Sequence, residues 1–354
     1  MQNNKLLVVL TGIAVGAIAV ALVALGNPGN MGFCIACFLR DTAGAVGLHR
    51  AEVVQYVRPE IIGLVLGAFI MAFAGKEFSP RGGSAPVTRF TLGFCVMVGA
   101  LMFLGCPLRM MLRIGGGDLN ALVGLAGFVA GIGCGIFCLN KGFTLKRTYS
   151  VSKLDGYLYP AANVAMLVLL CAAPALLFFS ESGPGSMHAP IAAALIAGLA
   201  VGVLAQKSRF CTVAGIRDTI LFKDTHMLIG FIAVIAAVII GNLIMGSFHI
   251  GFEGQPVAHT DGLWNFLGML LVGLDSVLLG GCPLRQLILS GEGNVDSVVT
   301  VLGFVVGAAF CHNFKLASSG DGPTSGGQIA VIIGLAITAA IAFANIQRAT
   351  KAKA

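Results

Sequence analysis

Ten apolar stretches punctuate this chain, at about residues 6–26, 61–75, 90–108, 119–140, 160–179, 189–205, 227–247, 263–282, 295–311 and 328–345. Crossing the hydrocarbon of a bilayer takes roughly 17–25 apolar residues in a helix. The stretch at 61–75 is short and is expected to start earlier, within 51–60. Charged residues make up only 10% of the 354, against roughly 25% in a soluble domain. A chain so poor in charge must present its surface to lipid. No stretch alternates polar and apolar residues as a membrane β-strand does, so the expected fold class is an all-α polytopic membrane protein. Glycine, at 49 positions, fits close helix packing in lipid, and the absence of a three-residue period excludes collagen. The first stretch has Lys5 ahead of it and Ala24 near its end, as a signal peptide does. Its length exceeds a signal core of about 7–15 residues, and it is expected to be a retained span.

The scarce charges orient the spans. With ten spans, the segments on one side of the bilayer carry 16 Lys and Arg and those on the other carry 6. Lys and Arg concentrate in the cytoplasm, so both termini are expected there. Setting aside Arg40, Arg109, Arg217 and Arg285, which belong to motifs described next, leaves 14 against 4. The net charge of +7 is then mostly topology. No basic patch interleaves with aromatics, which argues against a nucleic-acid partner.

The chain repeats itself. Phe33-Cys34-Ile-Ala-Cys-Phe-Leu-Arg40-Asp41-Thr42 returns as Phe210-Cys211-Thr-Val-Ala-Gly-Ile-Arg217-Asp218-Thr219, 177 residues on. Gly105-Cys106-Pro107-Leu108-Arg109 returns as Gly281-Cys282-Pro283-Leu284-Arg285, 176 residues on. Gly115, Gly117, Gly127-Phe128-Val129 and Gly131 match Gly291, Gly293, Gly303-Phe304-Val305 and Gly307. Packing alone would preserve apolar and Gly positions, yet Cys, Arg, Asp and Pro are preserved too. The expected division is a first repeat over 1–180 and a second over 181–354. Five spans per half is an odd number, so the second half enters from the opposite side. Arg40 and Arg109 should then lie on the outer side and Arg217 and Arg285 on the inner side, with equivalent motifs approaching the midplane as in many transporters.

Residues 27–50 and 206–220 are too apolar for ordinary loops and too short or too polar to cross. They read as half-helices or re-entrant loops, or else as interfacial turns with Arg and Asp among headgroups. Gly-Cys-Pro-Leu-Arg closes an apolar run in each half. Proline there interrupts the helix, leaving a thiol and a guanidinium near backbone amides that favour anions.

Four cysteines are shared between halves: Cys34 with Cys211, and Cys106 with Cys282. Cys37, Cys95, Cys134, Cys138, Cys171 and Cys311 have no counterpart. Most of these read as small buried hydrophobes. Cys34 and Cys37 form a C-x-x-C that admits a redox or metal reading. Position 214 is Ala, so the pair is not repeated, and a zinc site would want four N/S ligands. A thiol is a soft, weak donor suited to sulfur- or selenium-bearing anions that must be bound and released. Asp275 is an intramembrane carboxylate, seven residues before Cys282 and expected on the same helical face; Gly99 holds the matching position. It reads as a proton-coupling group, a partner for an Arg, or a packing hydrogen bond. Asp41 and Asp218 are the other coupling candidates.

These segments resemble the YeeE/YedE family of bacterial inner-membrane sulfur-compound transporters, over nearly the whole chain. Gly-Gly-Cys-Pro-Leu-Arg-Gln-Leu-Ile-Leu (280–289) and Gly-Glu-Gly-Asn (291–294) look most like the YedE branch associated with selenium metabolism. The resemblance implies a pseudo-symmetric helical protein of the inner membrane, constricted at its middle, that passes thiosulfate along cysteines. By position those roles fall on Cys34, Cys106 and Cys282, with Cys211 completing the symmetry. It also implies a small soluble TusA/SirA-like sulfur carrier as partner. The expectation is a transporter or channel rather than an enzyme, with no cofactor and no metal. The competing readings are a membrane thiol oxidoreductase, suggested by Cys34-x-x-Cys37, and a membrane scaffold for a sulfur- or selenium-handling soluble protein, suggested by the basic segments 141–153 and 206–226. The chain has no Walker sequence, which argues against direct ATP drive.

Overall fold

The computed structural model describes residues 2–346. The basic tail counted above (Arg348, Lys351, Lys353) lies outside them. Ten long helices carry the architecture: α1 (Gln2–Ala24), α3 (Pro59–Ala74), α4 (Pro86–Phe103), α6 (Leu119–Asn140), α7 (Lys153–Ala172), α8 (Ile191–Ser208), α10 (His226–Ile244), α11 (Gly262–Leu278), α13 (Val295–Asn313) and α14 (Ser325–Ala344). Four short helices lie between them: α2 (Ile35–Ala45), α5 (Pro107–Gly116), α9 (Thr212–Phe222) and α12 (Pro283–Gly291). Among the described residues, nine helical stretches are long and apolar enough to cross a membrane. The tenth, α3, has 16 residues, or about 24 Å at 1.5 Å per residue. The chain is a polytopic α-helical membrane protein, and the strand content among the described residues is a two-residue pairing of β1 (Arg81–Gly82) with β2 (Tyr149–Ser150).

Several boundaries differ from the sequence reading. The stretch read at 160–179 is a helix over 153–172, because Pro160 sits inside α7 and does not start it. The helix begins instead at Ser152, whose side chain accepts the Leu154 amide. The stretch read to Cys282 ends at Leu278. Asp275 and Cys282 are therefore not on one helical face, since the chain breaks between them. The stretch at 61–75 starts at Pro59, as its shortness suggested.

The long helices pack in crossed pairs: α1 on α10, α3 on α8, α4 on α13 and α6 on α11, with α4 also against α11. Glycines at four-residue spacing make these contacts. A methyl on Gly127 or Gly131 of α6 would collide with the carbonyl oxygens of Phe266 and Leu270 in α11. A methyl on Gly303 or Gly307 of α13 would meet those of Phe90 and Phe94 in α4. Small residues that let backbones touch are what hold helices together where lipid removes the hydrophobic drive. Past their first turns, α4–α5 and α11–α12 are mostly buried, whereas α7, α10 and α14 leave most of their length exposed or half-exposed. Exposed Phe73, Ile240, Ile244 and Phe343 mark that lipid-facing rim.

Candidate functional site

Each of the four shared cysteines is the residue immediately before a short helix. Cys34 precedes α2, Cys106 α5, Cys211 α9 and Cys282 α12, all with extended backbone, and of the four only the Cys34 side chain accepts an amide of its own helix. The local sequence dictates this. The preceding long helix ends in a left-handed residue, Leu104 (φ 61°) or Gly280 (φ 82°). The next amide bonds back, Gly105 to the Ala100 carbonyl and Gly281 to that of Ser276. Pro107 and Pro283 then open the short helix, where a missing N–H costs nothing. The short helices end alike, with Gly117 (φ 94°) and Gly293 (φ 91°) left-handed. Beside them Asp118 and Asn294 cap α6 and α13.

The capped termini meet in two pairs. Cys34 and Cys106 lie 4.0 Å apart sulfur to sulfur, and Cys211 and Cys282 lie 3.8 Å apart. The Cys34 sulfur accepts the Cys37 amide at 3.3 Å. Unpaired amides and the positive helix end make such a place receptive to negative charge. The first pair has a third member: Cys37, 2.9 Å from Cys34 with both thiols free. All five sulfurs are shut away from water in this conformation.

The four motif arginines fare differently. Arg109, fully buried, donates to the carbonyls of Asn30 (3.0 Å), Val257 (2.9 Å) and Leu104, and to the Cys37 sulfur at 3.4 Å. It places a cation beside three thiols while tying two loops to the α4–α5 break. Arg285 instead pairs with Glu292 at 3.2 Å, and Glu292 also takes Arg209. Arg40 pairs with Asp41 at 2.6 Å, and Arg58 holds the other oxygen of that carboxylate at 2.8 Å. Arg217 pairs with Asp218 at 2.8 Å in a half-buried setting. Asp41 and Asp218 are thus both held by arginine. Asp275 is fully buried, and neither of its oxygens has a hydrogen-bond partner.

Sequence reasoning passed over Asn30, Arg58, Thr212, Arg209, Glu292 and the buried pair Arg113–Asp118 (2.6 Å). One signal was available: the repeat carried one residue past Gly117 and Gly293 reaches the caps Asp118 and Asn294. Asn30, Arg58 and Arg209 bond to groups distant in sequence and left no local mark.

Comparison with known proteins bears on this geometry. Residues 207–351 match the family described as Sulphur transport. That match takes in α9 to α14 and therefore Cys211, Cys282, Arg217, Arg285 and Asp275. The thiosulfate transporter TsuA of Escherichia coli (strain K12) is 27% identical over 123 residues, or 35% of this chain. The aligned part spans about a third of that relative's length (34%).

Proposed function

We propose that this protein carries a small sulfur-containing anion, thiosulfate foremost, across the bacterial inner membrane, and that the anion passes between thiols held at helix N-termini. The observation that carries this reading is the meeting of four repeated cysteines, two by two, at the starts of α2 and α5 and of α9 and α12. A helix N-terminus attracts an anion without a full charge. A thiol donates weakly to a sulfur oxyanion and lets it go. Arg109 beside Cys34, Cys37 and Cys106 adds a buried positive charge on one side. The match to a sulfur-transport family and the likeness to a thiosulfate transporter support the solute class. Selenite is a second candidate solute, on the motif forms at 280–289 and 291–294.

The same reading makes residues 1–180 and 181–354 inverted repeats. Its support is reciprocity in packing: α1 lies on α10 as α8 lies on α3, and α4 on α13 as α11 on α6. Gly127 against Phe266 has its counterpart in Gly303 against Phe90, each residue displaced by 176. The pairings Asp118 with Gly251 and Arg81 with Asn294 are also reciprocal. With both termini cytoplasmic, Lys141, Lys146, Arg147, Lys207 and Lys223 gather on the inner side, where an acidic TusA/SirA-like sulfur carrier would receive the solute. A redox reading is favoured by one contact, Cys34 to Cys37 at 2.9 Å. It requires an electron acceptor, whereas passage of an anion requires none.

Proteoliposomes holding the full chain, loaded with radiolabelled thiosulfate or selenite outside, test the proposal. Uptake of thiosulfate that falls at least tenfold in Cys106→Ala and Cys282→Ala is the expected result. Wild-type vesicles that accumulate neither label would overturn it.

A further inference from the structure

Three polar residues line the second α-helical break and have apolar counterparts in the first. Asp275, Ser276 and Gln286 stand where Gly99, Ala100 and Met110 stand 176 residues earlier. The fold makes its first break, α4 to α5, without polar groups at these places. Packing therefore does not demand them in the second, α11 to α12. All three are buried, and each keeps an oxygen with no hydrogen-bond partner: both carboxylate oxygens of Asp275, the Ser276 hydroxyl and Oε1 of Gln286. The Thr338 hydroxyl of α14 is fully buried and also makes no hydrogen bond. Buried polar atoms are nearly always satisfied, so a run of unsatisfied ones wants an explanation.

No cation explains it. Among the described residues Asp275 forms no ion pair, although Asp41, Asp118, Asp218, Asp296, Glu77 and Glu292 all do. Each helix packed on α11 can be surveyed. From α4 come Cys95, which is buried, and Arg89, which pairs with Asp296. From α6, Cys134 and Cys138 line a groove on the lipid side. From α9, Arg217 and Asp218 hold each other. Helix α14 carries no titratable residue. An ionised carboxylate here would be a buried charge without a partner, which is strongly unfavourable. Intramembrane carboxylates of this kind are proton relays in many carriers.

We propose that Asp275 is a proton-binding site whose proton travels with the anion. This rests on the anion-transport reading. In the closed protein the carboxylic acid is neutral and needs no counter-ion. When the break at 279–282 opens and water enters, the acid releases its proton to water and the carboxylate that remains is solvated. Reprotonation from the opposite side resets the group, so one proton crosses per cycle and no bond but O–H is made or broken. A divalent anion moving toward a negative interior is opposed by the membrane potential. A co-transported proton cancels one of its two charges.

The test uses the full chain in proteoliposomes with labelled thiosulfate, at fixed potential, with a pH step of one unit, alkaline inside. One proton per anion raises wild-type accumulation up to about tenfold. Asp275→Asn, which keeps the neutral shape, should lose that response and retain exchange of label for unlabelled thiosulfate. A variant that responds to the step as wild type does sinks the proposal. Infrared difference spectra give a readout independent of solute: a carboxylic-acid C=O band in wild type at neutral pH, absent from Asp275→Asn. If no such band exists, Asp275 binds no proton and the proposal fails. If the band is present but wild-type vesicles carry no sulfur anion, the proton site stands and the anion reading falls.

Discussion

Asp41 grips two guanidiniums at once, Arg40 and Arg58, with all three side chains hidden from water. Arg58 also donates to the Met187 and Pro184 carbonyls and lies over the rings of Phe38 and Tyr56. Removing one partner of such a cluster strands buried charge. Asp41→Asn should cost about 3–5 kcal/mol, read as a lower midpoint of unfolding in detergent. Nearby, His188 stacks on Tyr56 with ring centroids 4.0 Å apart. Burial first, with Arg58 adding repulsion, holds this imidazole below the ordinary histidine value. The folded state thus prefers it neutral while the unfolded chain takes up the proton. Its contribution is complete above roughly pH 6.5 and is lost as pH falls below that. Thermal unfolding at pH 7 and pH 5 should show a smaller acid loss in His188→Gln than in wild type. The shared Cys and Arg were legible in the sequence because repetition singles them out from ten unremarkable cysteines. The carbonyl partners of Arg58 and the bridge from Arg209 to Glu292 were not, because bonds across distant segments leave no periodic trace.

The breaks depend on the helix ends beside them. Asp118 caps α6 by accepting the Asn120 amide and also holds Arg113 of α5, which lies over Phe103 at 4.1 Å. Asp118→Ala removes a cap worth about 1 kcal/mol and leaves a buried arginine unpaired. The loss should exceed that of Asn294→Ala at the matching cap of α13, and paired unfolding curves decide it. At the α6–α11 contact, Gly127→Leu should overpack a seam with no room for a methyl, costing about 1–3 kcal/mol. The same change at Gly133, which meets nothing within 4 Å, should cost little. Apolar length made the long helices readable, and Gly-Cys-Pro made the breaks readable. The start of α7 was not, because Pro160 reads as a stop whereas this helix accommodates it in its interior. The end of α11 was hidden for the opposite reason: Leu278 and Leu279 continue the apolar run past the point where the backbone turns.

At the scale of the molecule, crossed pairing places the largest helix contacts of residues 1–180 against residues 181–354, so neither segment buries its helices alone. The fold class was legible because lipid admits few solutions, whereas the two-fold relation is a proposal drawn from offsets of 176 and 177. Which atoms meet was beyond reach, since thiol contacts depend on how four helix ends converge. The halves also diverge. One carries three thiols with Arg109 in fully buried surroundings. The other carries two thiols, with Ala at 214 and arginines satisfied by Glu292 or Asp218. A carrier with identical halves would run the same cycle from either side. With unequal halves, the solute concentration that half-saturates flux should differ between faces, although no such difference can drive net accumulation by itself. Inside-out and right-side-out vesicles of the same preparation would then give two unequal half-saturation values. On the proposed transport reading, the third sulfur at Cys37, which the repeat does not require, would give the membrane crossing a front and a back.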